Sequence, residues 1–338
     1  MQKKYLFLGP KKNVHNSELT GGIIVLFENL LNYCDEHHIS YDVIDTNKAN
    51  YKTKLYAYVQ ILLLLLKKTP RATHVSLHGT ANDYLFIAPF SLLVAKSLGK
   101  HFSLRKFAGN FIEIYENYSA MQQMIIRMTL KYSSCNFFET KYLVEYFKKF
   151  NFKTFWFPNV RKKSLYYTDK KFHKRFIYIG AIREEKGIDI LCEVSNLLSR
   201  EYTIDLYGNL DEKYTKHYFD NYNVNYKGSL NNEDVTQILS KYDVLILPSL
   251  REGYPGVIIE ALSVGLPIIA TNLKGILEMI DSSSSIFIYP ANVEQLKNAI
   301  KLFNEKNYLV KVNASMNSFV RFDSEIQTAK YLKRIGRQ

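Results

Sequence analysis

Short apolar runs alternate with longer helical patterns along this chain, and that alternation restricts the fold more than any other feature. It argues a parallel sheet in each half, with helices packed on it. In the first half, strands are expected at 4–8, 41–45, 73–78 and 101–106, and helices near 23–33, 54–67, 85–98, 121–132 and 140–150. In the second half the strands fall at 176–182, 203–208, 224–227, 243–247, 267–271 and 285–289, and a helix over 292–304 closes the sheet. A length of 338 residues is enough for two α/β domains, each with its own buried core.

The stretch PSLREGYPGVIIEALSVGLPIIATN, at 248–272, carries the chemistry. An apolar strand ends before it, breakers fill 248–256, and 256–264 reads as a helix. The turn therefore lies at the carboxyl end of a strand, the edge at which open α/β sheets bind ligands. A helix starting at Gly256 offers backbone N–H groups and a positive dipole end to an anion such as a diphosphate. Glu260, one turn into that helix, is placed to accept hydrogen bonds from a ribose, and Glu252 is left at the mouth, facing a second sugar.

This segment resembles the Glu-x7-Glu signature of retaining glycosyltransferases of the GT-B fold, glycosyltransferase family 4 in particular. The likeness covers the Pro-Ser before the turn, Glu252-Gly253, Glu260-Ala261 and Gly-Leu-Pro at 265–267, all in register. It implies two Rossmann-like parallel-sheet domains facing a central cleft. The implied division is an acceptor-side domain over 1–160, a linker over 161–173 after Phe157-Pro158-Asn159, a nucleotide-sugar-binding domain over 174–317, and a last helix over 318–338 crossing back.

The resemblance also implies roles. REEKG, at 183–187, opens a helix running to about 199, and its loop would grip the donor diphosphate. Lys186 stands where the family places its lysine; the family's arginine position holds Ala181, which leaves Arg183 as the nearest substitute. Lys186 and Arg183 would neutralise the departing diphosphate, together with the amides of Gly256 and Val257. Gly253 takes part in binding the donor, Glu260 holds the ribose, and Glu252 orients the donor sugar. Gly21 and Gly22 correspond to a loop facing the donor from the first domain. Where the family carries a histidine, this chain has SLRKFAGN at 103–110, so Arg105, Lys106 and the nearby His78 stand as candidates for acceptor or phosphate contact. No Asp-x-Asp triplet occurs, and neither a divalent metal nor a cofactor beyond the donor substrate is expected.

Charge and cysteine content add expectations about surroundings. Residues 1–175 carry +15 and residues 176–338 carry −2, which make the net +13. The excess is densest over 141–175, where aromatic side chains interleave with eleven basic residues. Such a stretch reads as a nucleic-acid surface, as docking to anionic lipid, or as a solvated basic face. Lipid is favoured, because related enzymes build glycans on lipid diphosphate carriers. Cys34, Cys135 and Cys192 show neither metal spacing nor an even disulfide framework, which suits a reducing compartment. No signal peptide is evident, and the apolar run around 55–66 falls short of the ~20 residues of a membrane helix. The expectation is a retaining glycosyltransferase of surface polysaccharide synthesis, cytoplasmic or peripheral at the inner membrane face, using a nucleotide sugar and a glycan or lipid-diphosphate-linked acceptor. The other reading is a catalytically idle GT-B protein that binds a sugar nucleotide or a partner enzyme.

Overall fold

In the computed structural model, which describes residues 4–13, 22–107 and 109–336, the alternation gives two six-stranded sheets in which every strand runs parallel to its neighbours. The first holds β1 (Tyr5–Gly9), β2 (Tyr41–Asp45), β3 (His74–Gly79), β4 (His101–Lys106), β5 (Cys135–Phe138) and β6 (Thr154–Trp156), in the order β2-β1-β3-β4-β5-β6. Strands β1 and β3 are buried along their whole length, as covering both faces of a sheet requires; β1 reads as a continuous apolar run, whereas β3 alternates Val75 and Leu77 with buried His74, Ser76 and His78. Helices α1 (Gly22–Glu36), α2 (Lys54–Lys68), α3 (Ala81–Ser97), α4 (Phe111–Glu116), α5 (Ala120–Tyr132) and α6 (Lys141–Phe147) make the crossovers. Side chains of α2, α3 and α5 pack with Leu6, Leu8, Val75, Leu77 and Leu104 on one face of this sheet. Phe7, Phe137 and residues of α1 form the core on the other.

The second sheet holds β7 (Arg175–Ile179), β8 (Thr203–Tyr207), β9 (Asn225–Tyr226), β10 (Val244–Leu247), β11 (Ile268–Thr271) and β12 (Ser285–Ile288), in the order β12-β11-β10-β7-β8-β9. Its helices are α7 (Ile188–Asn196), α8 (Val235–Leu239), α9 (Gly256–Val264), α10 (Lys274–Leu277), α11 (Val293–Leu302) and α12 (Glu305–Phe319). The order reverses between β7 and β10. At such a reversal the loops leaving two adjacent strands diverge to opposite faces and open a crevice at their carboxyl ends.

The chain divides into one unit of residues 1–160 and 324–338 and a second of residues 161–323. The final helix, α13 (Ser324–Ile335), belongs to the first. Its Tyr331 stacks on Phe157, with ring centroids 4.8 Å apart, and its hydroxyl lies 2.6 Å from Ser76 Oγ. Residues 161–173, expected as a linker, are docked on the second unit. There the Thr168 hydroxyl donates to the Tyr242 carbonyl at 2.6 Å, and Tyr308 donates to the Asp169 carbonyl at 2.7 Å.

Candidate functional site

At the reversal point of the second sheet, the loop after β7 and the loop after β10 line a cavity of about 570 Å³. One wall is Gly180, Ala181, Arg183 and Lys186; the facing wall is Glu252, Pro255, Val257 and Glu260, with Tyr207 to Asp211 and Ser229, Leu230 and Asn232 at the far end. Lys186, Glu252 and Glu260, singled out in the sequence, are thus brought into one cavity.

The two loops are held together through a glycine. REEKG does not run straight into a helix: 184–186 form one tight turn, and Gly187 adopts φ 72° before α7 begins. A Cβ on Gly187 would stand 2.1 Å from the Pro248 carbonyl oxygen, so this position needs both the left-handed conformation and the missing side chain. The Leu250 N–H, donating to the Glu185 carbonyl at 2.9 Å, adds a second tie. At the far end Gly208 plays a similar part: a Cβ there would stand 1.7 Å from the Gly180 oxygen.

Charges inside the cavity are paired. The Lys186 ammonium donates to Glu252 Oε1 at 2.8 Å, and Ser249 Oγ donates to the same oxygen at 2.8 Å. Glu252 is therefore not left open at the mouth; its side chain is 11% exposed. Arg161 Nε donates to Glu260 Oε1 at 2.7 Å. Behind them Tyr178 donates to the Ala181 carbonyl at 2.8 Å, and burial, reinforced by the Glu252 carboxylate, pushes its phenol above the usual range. Helix α9 begins at Gly256 with neither a side-chain cap nor an acidic residue in its first turn. Its amino end thus leaves its positive partial charge to a ligand. Sequence reading missed Arg161, because nothing local ties it to a carboxylate 99 positions away.

The first-unit candidates are buried. His78 is fully covered, its Nε2 3.0 Å from the Tyr331 hydroxyl, and burial followed by the nearby Arg105 holds its pKa well below the ordinary value. Arg105 donates to the Pro158 carbonyl at 3.2 Å and lies over the Phe157 ring at 3.7 Å; burial lowers it to about 10. Its Nη1 has no hydrogen-bond partner among the described residues. Lys106 donates to the Phe107 carbonyl, and burial lowers it to about 8. Gly22 opens α1 with open space where a Cβ would stand; Gly21 lies outside the described residues. The basic run over 141–175 is split between the units, and three of its cations are engaged within the second: Arg161 with Glu260, Lys174 with Glu201 and Arg175 with Asp243.

The chain is similar to known proteins in part of its sequence and in its fold. Residues 173–304 match the family described as glycosyl transferases group 1. An N,N'-diacetylbacillosaminyl-diphospho-undecaprenol alpha-1,3-N-acetylgalactosaminyltransferase of Campylobacter jejuni is 25% identical over 185 residues, 52% of this chain and 48% of that protein. The amylovoran biosynthesis glycosyltransferase AmsK of Erwinia amylovora is 30% identical over 142 residues, 38% of this chain and 35% of that one. These alignments span half or less of either relative. Among solved structures, Anabaena HepE in complex with UDP superposes with a TM-score of 0.75 at 15% identity, covering 99% of this chain and all of that one. The family match thus falls on most of the second unit, and over its whole length the chain shares the two-domain GT-B fold of these solved structures.

Proposed function

We propose that the chain is a retaining, metal-independent glycosyltransferase that moves a hexose-type sugar from a nucleotide diphosphate sugar to a glycan or lipid-linked acceptor in surface polysaccharide synthesis. The observation that carries this reading is the meeting of Lys186, Glu252, Glu260 and the uncapped start of α9 in one cavity at the sheet's reversal point. A diphosphate beside Lys186 and the α9 amides would have its charge balanced as the bond from anomeric carbon to phosphate oxygen breaks. The acceptor oxygen attacks from the same face, and its proton passes to the departing phosphate oxygen. Glu260 holds the ribose with Arg161 fixing its carboxylate, and Glu252, held by Lys186 and Ser249, orients the sugar. The acceptor class is supported by the diphospho-undecaprenol in one relative's name, and the donor by the UDP in HepE. The three cysteines, all buried and unpaired, fit the cytoplasmic setting.

A thermal-shift screen against UDP, GDP, ADP and CMP sugars identifies the donor, since a ligand of the native state raises its melting point. Glu260→Ala is expected to weaken nucleotide binding, whereas Lys186→Ala slows transfer by about 10²-fold or more with little loss of affinity. Unchanged affinity and turnover in both variants would refute the site. Transfer is expected to persist in EDTA; its abolition would overturn metal independence.

A further inference from the structure

The outer surfaces of α2, α3 and α5 are apolar. In α2, Ala57, Ile61 and Leu65 face the core, yet Leu55, Val59, Leu63 and Leu66 repeat that spacing on the opposite side, each 48–76% exposed. Next to it, α3 exposes Phe86, Phe90 and Leu93, and beyond that α5 exposes Met121, Met124 and Met128. A groove of about 230 Å³, floored by Ile61 and Ile87, runs between α2 and α3. A helix that is apolar on all sides belongs inside a core or against lipid. Helices of this length, about 20–25 Å, set side by side about 10 Å apart, present on the order of 500 Å². That rivals the largest patch on an ordinary monomer.

Charge identifies what covers this face. The three helices hold six lysine or arginine residues and one acidic residue, Asp83, which is buried against Lys48 and Thr80. Lys67, Lys96 and Lys131, all exposed, stand in last turns; Lys68, beside Lys67, donates to the Val43 carbonyl at 2.8 Å and is not one of the rim cations. Because each helix connects parallel strands, those turns gather along one edge of the sheet and form a basic rim beside the apolar surface. Tyr56 and Tyr132, half exposed, supply amphipathic rings. Counted over the two units, the first carries +12 and the second +1.

We propose that this face docks on a bilayer bearing anionic phospholipid headgroups. The helices lie in the plane of the interface, their Leu, Phe and Met side chains enter the acyl boundary, and the rim cations contact lipid phosphates. Among the described residues no helix is long and apolar enough to cross a membrane, so the contact is with one leaflet. A protein partner would need an apolar surface with an acidic border; a bilayer supplies both at once. The inference uses the first unit alone and stands whatever sugar the second unit carries.

The test is flotation of the full chain with vesicles of phosphatidylglycerol and phosphatidylcholine, compared with vesicles of phosphatidylcholine alone. Binding to the anionic vesicles, weakened by salt and reduced at least about tenfold in Leu63→Glu/Phe90→Glu, supports the proposal. Nucleotide binding to this variant is measured in parallel, so that misfolding is recognised. In addition, Leu63→Cys carrying an environment-sensitive fluorophore is expected to shift to the blue on anionic vesicles. No flotation and no shift overturn the proposal. So does self-association in solution that Leu63→Glu abolishes while vesicle binding is absent, which would make the face an interface between copies.

Discussion

At the scale of single residues, polar side chains at strand ends met two fates. Glu252, Glu260 and Lys186 line an open cavity, whereas His78, Arg105 and Lys106 are 0–2% exposed. The first set was legible because the spacing of the two glutamates is a local property of one strand, turn and helix. The fate of the second was not, because it depends on Phe157 and Tyr331, which come from distant parts of the chain. Burial has a measurable consequence at Lys106, held at about 8 against an ordinary 10.5. The penalty of carrying its charge is full below pH 8, fades as pH rises, and is gone above about 10.5. Lys106→Met is therefore expected to stabilise the first unit by about 1–3 kcal/mol at pH 7 and by nothing near pH 10.5. The difference between variant and parent in denaturant unfolding across that range checks it, and a constant difference would count against a charged buried amine.

At the scale of elements, α9 begins and ends where its sequence pattern says, 256–264, since Pro255 precedes it and Gly265 follows in the left-handed region. Strands β5 and β6 escaped notice: at four and three residues they are too short to show a period, and their assignment comes from pairing beside β4. The helix expected over 183–199 is interrupted because Gly187 turns the chain so that it can touch Pro248. Gly187→Ala is accordingly expected to cost about 2–4 kcal/mol from the forced conformation and the collision. It should also weaken nucleotide binding, since it drives apart the loops that carry Lys186 and Glu252. Calorimetric titration of the nucleotide together with a melting curve measures both; a tolerated alanine would show that the loops do not depend on this contact.

At the scale of the molecule, the parallel α/β character of both halves was legible in the alternation, and so were three residues of the candidate site in the second, Lys186, Glu252 and Glu260. What composition could not reveal was where charge and exposed apolar surface would gather. The long basic run turned out to be divided, while the contiguous apolar face is built from three helices, the first of which ends at Lys68 and the last of which begins at Ala120. Removing α13 by ending the chain after Asp323 uncovers Phe137 and Phe157 and takes away Tyr331, Leu332 and Ile335, all buried. At about 1.5–3 kcal/mol for each buried apolar side chain, the first unit is expected to lose its cooperative unfolding transition while the second keeps its own. Retention of both transitions would refute the dependence. The same arrangement orders events on the ribosome. Residues 1–160 emerge first, yet the helix that completes their core follows only after the whole second unit has been translated, a delay on the order of ten seconds or more. Over that interval the aromatic surface awaiting Tyr331 is bare, which makes the nascent first unit a client for chaperones and the second unit the earlier of the two to mature.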